Sequence, residues 1–220
     1  MDFQNDYVLR IIEQITAAIG KIVFLKNTKG KEEALREMDM LSFERFGLDI
    51  NEIEKISYED ILNVLLEKSS HFNEDSKLIA ELLNIKGDIY LKDKNITNAH
   101  NCYLKSLNIY IYLNIKGYDM IIFDENKKIE ELIEKIDDYD IPVETEVMIF
   151  KYRFNNGSYS KAENTLFSLL EKQNNDELSK MGFDFYNELR KKTEEELKLG
   201  DFTFQEIDQG IEDLNKLKNI

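Results

Sequence analysis

"AELLNIKGDIYLKDKNITNAHNCYLKSLNIY", Ala80 to Tyr110, is the stretch whose reading decides the fold. It reads as two amphipathic helices with small residues at set intervals. Gly87 falls inside the first of them. A glycine in a helix interior costs about 1 kcal/mol relative to alanine. Close contact with a second helix accounts for such a glycine, and Ala99 is the residue expected opposite it.

With Ala80 as position one, Leu83 stands at four, Gly87 at eight, Tyr90 at eleven, Ala99 at twenty, Tyr103 at twenty-four, Ser106 at twenty-seven and Leu107 at twenty-eight. Small residues at eight, twenty and twenty-seven, with large ones around them, resemble a tetratricopeptide repeat, a helix pair of about 34 residues. "NNGSYSKAENTLFSLLE" resembles the second half of such a unit through Gly157, Tyr159, Ala162, Leu166, Leu169 and Leu170. Its first half departs from the pattern, because Phe150 stands where the small eighth residue belongs. The two units start about 63 residues apart, so an extra helix over Asp124 to Asp138 is expected between them. The fold class that follows is all-α: a TPR-like α-α superhelical array over 74–220, preceded by an N-terminal helical region over 1–70.

Composition agrees. One proline and nine glycines in 220 residues favour long helices over many short strands. The apolar fraction of 42% and charged fraction of 33% belong to a chain that is neither membrane-embedded nor disordered. A formal net charge of −15, with no basic stripe, argues against nucleic acid and anionic membranes as partners. The N-terminus "MDFQNDYVLR" carries acids where a secretory leader carries bases, and Val8 to Leu25 is broken by Arg10, Glu13, Gln14 and Lys21. A cytoplasmic location is expected.

The first helix is expected over Phe3 to Lys26. Val8, Ile12, Ile15, Ile19 and Ile22 form a narrow seam on it, and Leu9, Ile11, Val23, Phe24 and Leu25 widen the apolar surface. Two readings follow: a core helix of this chain, or a self-association surface through Ile12, Ile15, Ile19 and Ile22 that makes a homodimer. Further helices are expected from Lys31 to Phe46, after the caps Asp49 and Ser57, after a cap at Asn73, from Pro142 to Phe154, from Ser158 to Lys172, from Glu177 to Leu199 and from Thr203 to Lys218. In the extra helix, Ile129, Leu132, Ile133 and Ile136 point inward. "NIKGYDMIIF" reads equally as a connection or a helix start.

"NDYVLRIIEQITAAIGKIVF", "GLDINEIEKISYEDIL" and the ending "FTFQEIDQGIEDL", with the repeat-like pairs, resemble an uncharacterised family of low-GC Gram-positive bacteria over nearly the whole chain. That resemblance implies the fold and carries no activity.

No catalytic, cofactor or metal motif is found. His71 and His100 are the only histidines, and neither has the i, i+4 or Glu-x-x-His partner of a helical metal site. Cys102 reads as a small buried hydrophobe. "TKGKEE" lacks the earlier glycine and the following Ser or Thr of a phosphate loop. The expected function is therefore non-catalytic: binding of a protein or peptide in a groove. In repeats of the resembled class, that groove is lined by positions two, five, nine, twelve and thirteen. These are Glu81, Asn84, Asp88, Leu91 and Lys92 here, and Val147, Lys151, Phe154 and Asn155 in the second unit. Asn84 and Asp88 do not match the resembled superfamily's clamp for C-terminal carboxylates. A peptide-sensing regulator and a structural homo-oligomer are the alternatives.

Overall fold

The structure, a computed structural model, describes residues 3–118, 124–173 and 175–218. Among them it is all-α, with no strand. The helices are α1 (Phe3–Thr28), α2 (Lys31–Phe46), α3 (Ile50–Lys55), α4 (Tyr58–Lys68), α5 (Phe72–Lys92), α6 (Ile96–Ile115), α7 (Glu125–Ile136), α8 (Val143–Asn155), α9 (Tyr159–Lys172), α10 (Asp176–Leu189), α11 (Glu194–Leu199) and α12 (Phe204–Lys218). They form two compact units, Met1–Asp140 and Ile141–Ile220. Residues 1–70 and the pair α5–α6 thus share the first unit.

Local chemistry sets most of the boundaries. Asp49 heads α3 with a capping box: its side chain accepts from Asn51 and Glu52 N–H, while Glu52 accepts from the Asp49 N–H. Ser57 caps α4 through the Asp60 N–H. Gly47 closes α2 in the left-handed conformation, φ 70°, as anticipated. Two expectations are corrected. The helix after "HFNEDSK" begins at Phe72, with His71 rather than Asn73 at its cap. The stretch expected as one helix from Glu177 to Leu199 is two, because Thr193 and Glu196 form a second capping box that starts α11 afresh. Half of "NIKGYDMIIF", residues 119–123, lies outside the described residues.

The centre of the first unit is α5. Residues 75–87 are buried without a break, and α1, α2, α3, α4 and α6 all pack on this helix. α6 runs antiparallel to it: Tyr103 lies against Gly87, Ser106 Oγ donates to Ala80 O (2.7 Å), and Tyr110 Oη donates to Glu81 Oε2 (3.2 Å). A Cβ on Gly87 would stand 2.7 Å from Tyr103 Cδ1. The close approach anticipated at Gly87 is therefore to the Tyr103 ring, one turn along from Ala99. α7 packs on α6 with Ile129, Leu132, Ile133 and Ile136 all buried. The α1 seam belongs to this same core: Ile15, Ile19 and Ile22 are buried, with α2 and α5 packed on α1. The core reading thus replaces self-association for these three. Ile12 is half-buried, and Leu9 and Phe24 are exposed.

The second unit is held by Phe150, Tyr159, Leu166, Leu170, Phe185, Tyr186, Leu189, Leu197, Phe202, Ile207 and Leu214, drawn from α8 to α12 and the turn before α12.

Tyr103 is buried and cannot step aside freely, because its hydroxyl donates to Asp88 Oδ1 at 2.9 Å. Gly87→Ala is therefore expected to destabilise by about 1–3 kcal/mol by overpacking, despite alanine's higher helix propensity. Denaturant midpoints check it. A Tyr103→Leu background should absorb part of the loss, and an unchanged midpoint in Gly87→Ala would refute the close approach.

Candidate functional site

The groove positions expected in the first unit do share one stripe of α5, but three of the five, Glu81, Asn84 and Asp88, are taken up by partners from this chain. Glu81 is 5% exposed and accepts from Lys128 Nζ (3.0 Å) and Tyr110. Asn84 Oδ1 accepts from Lys135 Nζ (2.7 Å). Asp88 is shared by Lys26 Nζ (2.9 Å), Lys135 Nζ (2.7 Å) and Tyr103. Lys26 comes from α1, Lys128 and Lys135 from α7. The extra helix thus covers the stripe that an isolated pair would expose. Burial pushes the Asp88 carboxyl up, but the hydrogen bonds and charges of Lys135 and Lys26 outweigh it and hold it below the usual carboxylate range. Leu91 and Lys92 are exposed, and Lys92 joins Lys26, Lys31, Ile89 and Asp93 around a hollow of about 170 Å³. Its one acid, Asp93, is already paired with Lys31 (2.6 Å), and its Lys26 with Asp88.

Two buried ion pairs on α5 escaped the sequence reading. Lys77 and Glu125, 1% and 2% exposed at their side chains, stand 3.2 Å apart. Lys86 reaches Glu54 (2.6 Å), Asn51 Oδ1 (2.8 Å) and Ile50 O (3.4 Å). Their trace in the sequence is two lysines, Lys77 and Lys86, inside a largely apolar run, "SKLIAELLNIKGDIY". Burial raises the Glu125 carboxyl to about 7, against the opposing pull of Lys77. A further hollow of about 440 Å³ is lined by Gln14, Ile15, Ala18, Leu41, Glu44, Arg45 and Leu78. Its one cation, Arg45, is bound to Asp75, which also accepts from Ser69 Oγ at 2.6 Å.

In the second unit the expected positions behave differently. Val147 and Phe154 are half-buried on α8; Lys151 and Asn155 are exposed. Phe154 lines a hollow of about 170 Å³ with Phe150, Met181, Asp184, Phe185 and Glu188. The three rings interlock: Phe185 meets Phe150 edge-on at 5.5 Å and Phe154 at 5.4 Å. Phe150, which broke the small-residue pattern, is the floor. Met181, Asp184, Phe185 and Glu188 follow i, i+3, i+4 and i+7 spacing, so one face of α10 supplies both apolar wall and acidic rim. That spacing was readable; its pairing with α8 was not.

The remaining reactive types are enclosed. Cys102 is fully buried and its thiol is pushed up to about 12 by burial. His100 lies 4.7 Å from the Tyr139 ring, and burial lowers its pKa. Among the described residues no group of three or more His, Cys, Asp or Glu is placed to hold a metal ion. No described helix is long and apolar enough to cross a membrane.

The chain belongs to a family of unknown function, DUF6483, whose match spans residues 2–219. No curated protein and no solved structure matches it.

Glu125 generates a pH prediction. Its folded pKa lies above its unfolded value of 4.5, so the folded state holds the proton longer. Stability from this group is full below pH 4.5 and declines as pH rises through about 7. The decline amounts to about 3 kcal/mol at most. Urea denaturation across pH 4–8 should show that Glu125→Gln flattens this slope relative to wild type; parallel profiles would sink the assignment.

Proposed function

We propose that this member of the family is a non-catalytic, cytoplasmic TPR-like module that binds a protein or peptide partner. The observation that carries the reading is the aromatic hollow between α8 and α10, which is lined by Phe154, one of the groove positions expected from the sequence. It is an apolar recess at an exposed helix face, the form in which helical arrays seat a partner's side chain.

The helix pairs support the same reading. Gly87 and Ser106 lie at the α5–α6 contact, where small residues let two helices approach. The pair also departs from the repeat: α5 and α6 are 21 and 20 residues long, and α7 packs on α6 as a third helix. The array is irregular, and the recess lies in the second unit. The non-catalytic part rests on where the perturbed groups lie. Cys102 and Glu125 are buried in helix interfaces, not at an open cleft where a displaced pKa would serve chemistry.

Panning the full-length protein against a random-sequence peptide display library tests the reading. Recovered sequences should share an apolar anchor and lose about tenfold or more in affinity to Phe154→Ala, with helicity by circular dichroism unchanged. Failure to enrich any sequence over an unrelated helical protein would refute it.

A further inference from the structure

The hollow's chemistry narrows its partner, if the peptide-binding reading holds. A volume of about 170 Å³ is well below the ~300–1,000 Å³ of drug-sized sites and suits a single large side chain. Its floor is Phe150, Phe154, Met181 and Phe185, so that side chain is apolar. Its remaining lining residues are both acids. Asp184 is exposed and makes no ion pair among the described residues. Glu188 holds Lys191 Nζ at 2.5 Å, but both side chains are more than half exposed, and such a pair contributes little and is readily exchanged. Residues 141–220 carry 16 acids against 11 bases, so the long-range field around the site attracts cations as well.

We infer that the α8–α10 hollow takes a basic amphipathic peptide: one apolar side chain on the phenylalanine floor, with an adjacent Lys or Arg against Asp184 and Glu188. The cation's aliphatic stem lies along the apolar wall while its head stays at the rim. A guanidinium or ammonium near the exposed part of Phe154 gains further from the ring's negative face. An acidic peptide meets two carboxylates at the same place and is repelled.

The test uses two fluorescent amphipathic peptides of about four helical turns, one of Leu and Lys and its twin of Leu and Glu. Anisotropy with the full chain at low salt reads their affinities. The Leu/Lys peptide is expected to bind at least about tenfold tighter than its twin. Joint Asp184→Lys and Glu188→Lys should weaken it about tenfold or more and favour the twin. The same charge change at exposed positions outside the hollow, Glu171→Lys with Glu212→Lys, controls for net charge and should cost less than about threefold. Circular dichroism checks folding, and the milder Asp184→Asn with Glu188→Gln gives an intermediate loss if the reversal disturbs the fold. Equal losses from the rim and remote reversals would show that general charge, not this hollow, binds the peptide, and would overturn the inference. Equal binding of the twins, or none, would overturn it too. The peptide-binding reading itself falls only if library panning also enriches nothing.

Discussion

Residues 75–87 of α5 are buried without interruption, yet Asp75, Lys77, Glu81 and Lys86 lie among them, and Asp88 follows. A charge inside a protein is tolerated only with a close partner. Each of these finds one outside α5, and four helices supply them: Arg45 of α2 for Asp75, Glu125 and Lys128 of α7 for Lys77 and Glu81, Glu54 of α3 for Lys86, Lys26 of α1 for Asp88. These pairs add little net stability over apolar substitutes, because desolvation offsets their attraction. What they supply is selection among packings. A helix displaced by a turn along α5 would leave at least one charge buried and alone, at a cost of several kcal/mol. The apolar surface of α5 attracts neighbours without direction; its charges specify which neighbour sits where.

The second unit solves the same problem with shape. Tyr186 is fully buried, donates to Glu163 Oε1 at 2.6 Å, and lies where a Cβ on Gly210 would fall. Gly182 does likewise for Leu214 and Leu166. Large side chains set into glycine gaps fit α10 against α12 and α9, with the Tyr186–Glu163 hydrogen bond added on the α9 side. Such packing tolerates little change in volume. It also leaves part of the Phe154 ring uncovered at the α8–α10 edge, although Tyr159 of α9 packs on another part of it at 6.1 Å.

Much of the helical framework was readable because its signals are local. Asp49, Ser57, Gly47 and Pro142 act within a turn of themselves, and the α7 pattern needed only the 3.6-residue period. The break between α10 and α11 was equally local, written in Thr193 and Glu196, but it falls in a charged run, RKKTEEE, that reads as the solvated surface of one continuous helix. What sequence alone hid was long-range. Asp88 meets Lys26 across 62 residues and Lys135 across 47, so the same positions that suggest an open groove are closed by helices distant in the chain. For the candidate site, Phe154 was legible through its register, whereas Phe150 read as a defect. Its role depends on Phe185, and nothing local joins them.

The enclosure of Cys102 gives the protein a built-in reporter. It is the chain's single thiol, it sits in α6 against the central helix, and burial holds it protonated at any ordinary pH. Only a thiolate that meets solvent reacts with an alkylating reagent. The second unit has no cysteine at all. The rate of labelling therefore times the opening of the α5–α6 pair and is blind to events confined to Ile141–Ile220. Without a mutation or a dye, the natural sequence separates the breathing of one unit from that of the other.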